Sequence, residues 1–431
     1  MNCVPALRSI TRPWHLLACL AALAGCGVPE SESADRRDVP EYKVHYTLTP
    51  DPANGTVQVS LRLDQPRDLL REVTFVAGAH IEGIRGDGNV ELPDERIVWH
   101  PPRRGGTLEW SVEIANSRGE GTYDALLGAD WGVFRAEDVI PRARTRTLKG
   151  AYSNTTLTLD LPRGWSAVTE YSAIQQPIRV RRDDRRFDEP TGWIAVGKLG
   201  IRRDTIADVR VAVAAPEGQG ARRLEMLALL NWTLPELVEV LPDSLSRLTI
   251  VVAGDPMWRG GLSAPASLFL HADRPLISEN ATSPLLHEVM HAALGIHADD
   301  GFDWIIEGLA EFYSIDLLRR GRAISNRRAE RAFSFQAEWA TDADTLCGSA
   351  STGPTTALAV TVFRDLDREL QAATDKMHSL DSLLPLIAGG RVNLETLRAA
   401  AGELAGSVPD TLHIDKLPGC RSIAAVNPRP E

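Results

Sequence analysis

The chain has 431 residues, of which 43% are hydrophobic and 24% charged, a composition typical of a globular protein with two or three domains. Its 47 lysines and arginines stand against 58 aspartates and glutamates, which gives a formal net charge of -11 without long runs of one sign. This balance argues against a nucleic-acid groove, so no nucleic-acid partner is expected.

The first 25 residues have the pattern of an export signal. Arg8 and Arg12 supply the basic start, residues 14–24 are mostly apolar, and small residues precede Cys26. The apolar stretch is short for a membrane span. The sequence LAGC at residues 23–26 resembles the lipobox of bacterial lipoproteins, in which the cysteine is lipidated and becomes the new amino terminus. A plain signal peptide, cleaved without lipidation, is the alternative.

A lipoprotein signal at residues 1–25 predicts a location for the protein. Residues 26–40 are largely polar and would form a flexible tether between a lipid on Cys26 and the folded chain. By the same resemblance, Gly27 in place of an aspartate after the cysteine favours the outer over the inner membrane. We therefore expect a protein of the bacterial cell envelope, lipid-anchored in the membrane and facing the periplasm.

The use of cysteine agrees with export. Cys3 and Cys19 leave with the signal and Cys26 carries the lipid, so Cys347 and Cys420 remain as a pair. An oxidising compartment would join this pair in a disulfide bond. Two separate buried thiols are the alternative.

The sequence between residues 41 and 215 alternates with period two. Apolar residues alternate with polar ones on both sides of the turn sequence DPANG at residues 51–55, which predicts a β-hairpin. Further short strands are predicted at residues 73–77, 107–114, 155–161, 193–199 and 209–214. The first half is therefore predicted to be an N-terminal β-sheet domain.

The hydrophobic period changes to that of a helix after the sequence PEGQG at residues 216–220. Helices are predicted within residues 224–241, and a buried strand follows at residues 248–252. After these come a glycine-rich turn at 260–261, an edge strand at 267–271, and helices at 284–294, 304–318, 356–370 and 394–404. We expect an α+β multidomain protein whose second, mainly helical domain spans residues 216–431.

The sequence HEVMH at residues 287–291 predicts a zinc-binding helix turn. In a helix, His287 and His291 project from one face and can bind a single ion. Glu288 lies beside them, where it can take a proton from a water that the metal activates. Ser283 and Pro284 fit the start of such a helix. The pattern indicates Zn²⁺ and hydrolytic chemistry with Glu288 as the base; two packed histidines without a metal are the alternative.

A catalytic zinc ion needs a third protein ligand, and the sequence offers two candidates. His297 lies ten residues after His287, at the spacing of a metzincin, although the glycine that should enable the turn is one position late. Glu307 lies in the sequence WIIEGLAE on the next predicted helix. Glu311, one turn later, could accept a hydrogen bond from a ligand histidine. A solvated acidic face is the alternative for this pair of glutamates.

The sequences HEVMH and WIIEGLAE together resemble the gluzincin metallopeptidases, in particular the aminopeptidase N and glycyl aminopeptidase branches. The resemblance implies a β-rich N-terminal domain before a thermolysin-like, mainly α catalytic domain with C-terminal helices. It also implies zinc on His287, His291 and Glu307, with Glu288 as general base and Glu311 beside a ligand histidine. The expected activity is cleavage of peptide bonds in a peptide or protein substrate.

Two groups that handle the substrate in that family are missing here. The sequence GGLSA at residues 260–264 falls where those aminopeptidases have a glutamate that captures the free amino group of a substrate. They also use a tyrosine to stabilise the oxyanion, and no tyrosine follows Tyr313. His271 is a candidate substitute donor. The alternative function is therefore a catalytically weak or inactive zinc-binding envelope lipoprotein that acts in binding or assembly.

Overall fold

The structure is a computed structural model that describes residues 40–421, apart from residues 77, 79, 172–174, 182–184 and 243. The predicted signal peptide, the lipidation site Cys26 and all of the tether except Pro40 lie outside the described residues. Within the described part of the chain, no helix is both long and apolar enough to cross a membrane.

The alternating sequence of the first half forms strands, as predicted. Tyr42, Val44, Tyr46 and Leu48 are each at most 1% exposed, so one face of the first strand belongs to the core. The chain then turns into an antiparallel partner, and Gly55 at this turn has a φ of 66°, in the region that favours glycine. The predicted hairpin is confirmed.

The strands of the first half form three sheets. The elements are β1 (Glu41–Asp51), β2 (Thr56–Asp64), β3 (Leu70–Val76), β4 (Ile81–Gly86), β5 (Asn89–Glu91), β6 (Arg96–His100), β7 (Gly105–Glu113), β8 (Ala115–Gly119), β9 (Thr122–Leu127), β10 (Trp131–Arg135), α1 (Ala136–Val139), β11 (Ala143–Thr147), β12 (Tyr152–Leu159), β13 (Ser166–Val168), β14 (Ile178–Val180) and β15 (Trp193–Gly197). The strand orders are β14-β12-β1-β2-β7-β4, β13-β15-β10-β9-β8 and β11-β3-β6-β5. Between the sheets, the rings of Phe75 and Trp110 lie 5.6 Å apart in a shared hydrophobic core.

The second half combines a five-stranded sheet and a two-stranded sheet with most of the helices. Its elements are β16 (Leu199–Ile206), β17 (Val209–Pro216), α2 (Arg223–Val240), β18 (Arg247–Ala253), β19 (Gly261–Ala264), β20 (Ser267–His271), α3 (Pro284–Leu294), β21 (His297–Ala298), α4 (Asp303–Arg320), α5 (Asn326–Trp339), α6 (Pro354–Ala373), α7 (Leu380–Ile387), β22 (Arg391–Val392) and α8 (Leu394–Ala405). The predicted α+β architecture, with a β-rich region before a mainly helical one, is confirmed.

The five-stranded sheet of the second half has the strand order β16-β17-β18-β20-β19, and the two-stranded sheet is β21-β22. Residues 267–271 were predicted to be an edge strand, but β20 is an interior strand, and the edge is β19. The glycine-rich sequence of β19 has low β-propensity, so a turn was predicted there from the local sequence. Antiparallel pairing with β20, from Gly261 with Leu270 to Ala264 with Ser267, makes it a strand.

Two large hydrophobic cores separate along the chain. One contains residues between 42 and 196, and the other contains residues between 206 and 420. The strands at residues 199–216, which the sequence analysis assigned to the first domain, pair with β18 in the sheet of the second half. A smaller cluster joins the two cores, with the rings of Trp193 and Phe269 5.4 Å apart. The domain division at residue 215 stays a prediction.

Candidate metal centre

Helix α3 carries both histidines of the HEVMH sequence. It begins at Pro284, and the side chain of Ser283 accepts a hydrogen bond from the N–H of Leu286 at 3.3 Å, which caps the first turn. Because His287 and His291 are one turn apart, their rings project from the same face. Their Nε2 atoms lie 3.0 Å apart. The helix therefore presents two imidazole nitrogens at one point.

Helix α4 brings a carboxylate to the same point. Oε2 of Glu307 lies 3.2 Å from Nε2 of His287, and Oε1 lies 3.4 Å from Nε2 of His291. The next residue, Gly308, lies against α6, where an added Cβ would be 2.5 Å from the Cβ of Ala359. Glycine is needed for this close packing, which fixes the turn of α4 that presents Glu307.

The three donor groups suit a zinc ion. Their ligand atoms lie within 4.8 Å of one another, and this is the one such group of His, Cys, Asp or Glu among the described residues. Tetrahedral ligands at a zinc distance of about 2.0–2.1 Å are about 3.3 Å from each other, close to the separations of 3.0, 3.2 and 3.4 Å seen here. Two imidazoles and one carboxylate are also a donor set of catalytic zinc sites.

His297, the competing third ligand, does not join this group. It is exposed in the short strand β21, and its N–H donates to the carbonyl of Gly390 at 3.0 Å. Although His297 lines the same cleft, the structure brings Glu307 and not His297 to the two histidines.

Glu311 holds the ring of one ligand histidine. The Nδ1–H of His287 donates to Oε2 of Glu311 at 3.1 Å, so Nε2 is the nitrogen directed at the metal position. Gln336 of α5 in turn donates from Nε2 to Oε1 of Glu311 at 3.1 Å. The contact of Glu311 with a ligand histidine was predicted from the sequence, but that of Gln336, which lies 25 residues further along the chain, was not. A chain of hydrogen bonds thus sets the orientation of His287.

Replacing Glu311 with alanine is expected to lower the affinity for zinc by roughly 10- to 100-fold, because the ring of His287 loses the group that orients it. The affinity can be measured by competition with a chelator of known strength. The matched control is Glu338→Ala, since Glu338 is exposed on α5 away from the cleft. Equal zinc affinity in Glu311→Ala and wild type would contradict the role given to Glu311.

Glu288 is a nearly buried carboxylate, 8% exposed, against strand β19. A Cβ on Gly261 would lie 2.6 Å from Oε1 of Glu288, so only glycine permits this approach. Ser263 forms a hydrogen bond to the same carboxylate. Burial, together with the negative charge of Glu307, outweighs the opposing charge of His287 and raises the pKa of Glu288 to about 7. Such a group can both accept and return a proton near neutral pH.

The two histidines differ in charge. Burial lowers the pKa of His287, but hydrogen bonds to Glu307 and Glu311 outweigh it and raise this pKa to about 10. In His291, burial and the positive charge of His287 lower the pKa to about 4. One positive charge therefore lies between the carboxylates, in the place that a bound cation would take.

These groups open onto a cleft of about 1290 Å³. Its walls include Arg135 from the β-rich region, strand β19, Trp339 at the end of α5 and Gly353 before α6. Of these contributions, the family resemblance implied only the segment at residues 260–264; the sequence did not predict Arg135, Trp339 or Gly353. The metal centre is thus accessible to a ligand of peptide size.

His271, the candidate oxyanion donor, does not line this cleft, and neither does Tyr313. Tyr313 is fully buried, and its hydroxyl donates to Oδ1 of Asp381 at 2.8 Å. His271 is also fully buried, with Nε2 directed toward Asp255 at 3.5 Å. The suggestion that His271 replaces the missing tyrosine is therefore wrong, because β20 is an interior strand whose side chains pack in the protein.

A disulfide bond joins Cys347 to Cys420, with their Cα atoms 4.9 Å apart, and excludes the alternative of two separate thiols. Beside it, the N–H of Leu346 donates to the carbonyl of Pro418 at 2.8 Å. The bond holds the C-terminal segment against the loop that leads to Gly353 at the cleft.

Replacing both cysteines, as Cys347→Ser with Cys420→Ser, is expected to lower the free energy of unfolding by about 4 kcal/mol. The bond closes a loop over a sequence separation of 73 residues, and its loss increases the entropy of the unfolded chain. Urea denaturation measures the change. Wild type under reducing conditions serves as the control and should unfold like the double variant; equal stability of oxidised wild type and variant would contradict the prediction.

No protein-family profile matches this chain, and no curated protein matches it by sequence. An aminopeptidase N family protein from Idiomarina loihiensis matches in structure with a TM-score of 0.58 at 15% identity, over 89% of this chain and 75% of that protein. An M1 zinc metallopeptidase from Deinococcus radiodurans matches with a TM-score of 0.53 at 15% identity, over 88% and 96% of the two chains. Its glutamate-to-alanine variant matches with a TM-score of 0.56 at 15% identity, over 87% and 93%.

These matches define the class of the fold. The chain has a gluzincin aminopeptidase-like fold, as the resemblance of its two motifs implied.

Proposed function

We propose that this protein is a zinc-dependent metallopeptidase that hydrolyses peptide bonds. The observation that carries the proposal is the convergence of His287, His291 and Glu307 on one point of an open cleft, with Glu288 beside it. The similarity of the fold to M1 zinc metallopeptidases supports it. Zn²⁺ is the proposed cofactor and a peptide or protein is the proposed substrate.

The side chains of the centre have distinct roles in this reaction. When bound, zinc supplies a Lewis acid that polarises a carbonyl group and lowers the pKa of water to about 7. His287, His291 and Glu307 hold the ion. Glu311 keeps the His287 ring in position through Nδ1. The Glu288 carboxylate takes a proton from the attacking water and passes it to the leaving amine.

Strand β19 supports a peptide as the substrate. The carbonyl of Gly260 accepts a hydrogen bond from the N–H of His271 at 2.9 Å. Because antiparallel pairs alternate, the main-chain groups of Gly261 and Ser263 then point away from β20, and both residues line the cleft. An extended peptide can add to this edge as a further strand. It would then lie beside Glu288, which contacts Gly261.

A second candidate function is a binding or assembly lipoprotein with weak or no catalysis. The observation that favours it is the position of Tyr313 and His271, since neither lines the cleft where an oxyanion would form. Loss of one oxyanion donor typically lowers the rate by about 100- to 1000-fold.

Cleavage of a diverse peptide library separates the two candidates. The mature protein is incubated with the library as zinc-loaded protein, after chelation, and after zinc is restored, and the products are identified by mass spectrometry. We expect cleavage that the chelator abolishes and zinc restores. No cleavage at any zinc loading would favour the binding lipoprotein.

We also propose that the mature protein is anchored to the envelope membrane by a lipid on Cys26 and faces the periplasm. The sequence LAGC and the polar tether at residues 26–40 support this location. Mass spectrometry of the amino-terminal peptide from a membrane fraction tests it, and an unmodified Cys26 would contradict it.

A further inference from the structure

Four arginines line the cleft, together with six carboxylates, three of which belong to the metal centre. The arginines that line it are Arg118, Arg135, Arg259 and Arg274. Arg118 pairs with Asp124 at 3.2 Å, and Arg259 pairs with Asp255 at 2.6 Å. Both of these pairs are exposed to solvent. The remaining two arginines have no carboxylate within ion-pair distance in the described part of the chain, although the charge of Arg135 acts on Asp138 and that of Arg274 on Glu288.

The carboxylates of the cleft, by contrast, already have partners. Outside the metal centre, those that line the cleft are Glu137, Asp138 and Asp303. Each accepts a main-chain hydrogen bond: Glu137 from Gly192 at 3.0 Å, Asp138 from Arg135 at 2.7 Å and Asp303 from Ser351 at 2.7 Å. The cleft therefore has guanidinium groups available to a ligand, and its acidic groups are used to hold the main chain.

Arg135 stands beside the edge strand. It pairs with Trp193 between β10 and β15, and its guanidinium lies 5.1 Å from the centre of the Trp193 ring. The indole Nε1–H of Trp193 donates to the carbonyl of Leu262 in β19 at 2.9 Å. The guanidinium is thus connected to the substrate wall through a fixed aromatic ring.

Arg274 lies near Gly261 of the same wall. Strand β20 pairs Leu270 with Gly261, and Arg274 follows four residues later. The main-chain N–H of Arg274 donates to the carbonyl of His271 at 3.1 Å, and the side chain of Arg222 donates to the carbonyl of Arg274 at 2.6 Å. These two hydrogen bonds hold the main chain of Arg274 on both sides. Because Gly261 contacts Glu288, this arginine lies at the catalytic end of β19.

We infer that the cleft selects peptides that carry a carboxylate close to the scissile bond, and that Arg135 and Arg274 bind this carboxylate. A guanidinium group matches a carboxylate with two parallel hydrogen bonds, which gives both affinity and orientation. The inference rests on the proposed function, because it names the substrate class of the same site. The carboxylate belongs either to an Asp or Glu side chain or to the carboxyl terminus of the peptide.

Peptide binding to zinc-loaded Glu288→Gln protein tests the inference without turnover. Two peptides, blocked at both ends, differ only by Glu or Gln at one position, and a third, neutral peptide has a free carboxyl terminus. Tryptophan fluorescence gives the affinities. We expect the preferred carboxylate peptide to bind roughly 10- to 100-fold more tightly than its neutral counterpart, as charge-assisted hydrogen bonds require. The Glu/Gln pair and the third peptide distinguish a side-chain carboxylate from a terminal one.

Arg135→Gln and Arg274→Gln, added singly, should each reduce this preference. Arg203→Gln is the matched control, because Arg203 is exposed on β16 and does not line the cleft. The ratio of two affinities on one protein does not depend on how much of it is folded. Equal affinity for charged and neutral peptides, or a preference unchanged in both arginine variants, would overturn the inference. Absence of cleavage by wild type with this preference intact would instead reject the peptidase function alone.

Discussion

Replacing Glu288 with glutamine is expected to lower kcat by roughly 100- to 10,000-fold and to leave zinc bound, because general acid–base catalysis typically contributes a factor of this size. Glutamine keeps the shape of the side chain and the contact with Gly261 but cannot accept a proton. Its amide is not one of the three donor groups at the metal, so zinc content should not change. Steady-state hydrolysis and metal analysis of the same sample measure both quantities.

The matched control for this variant is Glu279→Gln, since Glu279 is exposed just before α3. It should have the kcat and zinc content of wild type. Turnover by Glu288→Gln at the wild-type rate would show that another group activates the water, and the assignment of Glu288 as the base would fail.

Replacing Glu307 with alanine is expected to lower the affinity for zinc by more than about 100-fold. Residues that only orient a ligand change metal affinity by about 10- to 100-fold, and Glu307 contributes a donor atom of its own. Hydrolysis should be lost together with the metal. Equilibrium dialysis against buffered zinc measures the affinity, and circular dichroism reports whether the protein keeps its helix content.

His297→Ala is the comparison that decides the third ligand. His297 is exposed and outside the donor group, so its removal should leave the zinc affinity as in wild type. Retention of zinc by Glu307→Ala together with its loss in His297→Ala would contradict the gluzincin site and support a metzincin-like one.

Local signals in the sequence were sufficient to predict the helices of the metal centre. Ser283 and Pro284 define the start of α3, and the spacing of the histidines then places both on one face. The helix α4 was predicted from its apolar residues, and Gly308 after Glu307 allows it to pack on α6. Each of these features involves residues that are close together in the sequence, so the sequence alone was enough to predict both helices.

The wall opposite the histidines could not be predicted, because it depends on contacts that are distant in sequence. Strand β19 reads as a glycine-rich turn until β20 pairs with it and Glu288 packs on Gly261. Gln336 and Arg135 do not belong to a recognisable sequence motif, and only the tertiary packing of distant segments brings them to the site. For the same reason, His271 was taken for an edge-strand residue, although it lies on an interior strand.

The substrate specificity suggested here differs from the one that an aminopeptidase would have. The wall at residues 260–264 has no carboxylate to hold a free amino group. In its place, Arg135 and Arg274 line the cleft beside β19, and neither has a carboxylate within ion-pair distance among the residues described. These two guanidinium groups can pair with an acidic group on the substrate.

Titration of metal-free protein with zinc, while peptide hydrolysis is followed, tests the central proposal most directly. We predict that hydrolysis is absent without metal, rises with added zinc and reaches its maximum at one zinc ion per chain, as one donor group of His287, His291 and Glu307 requires. The Glu288→Gln protein should bind the same single ion without hydrolysis. Full activity of the metal-free protein, or binding of one zinc ion without cleavage of any peptide, would contradict the proposed peptidase.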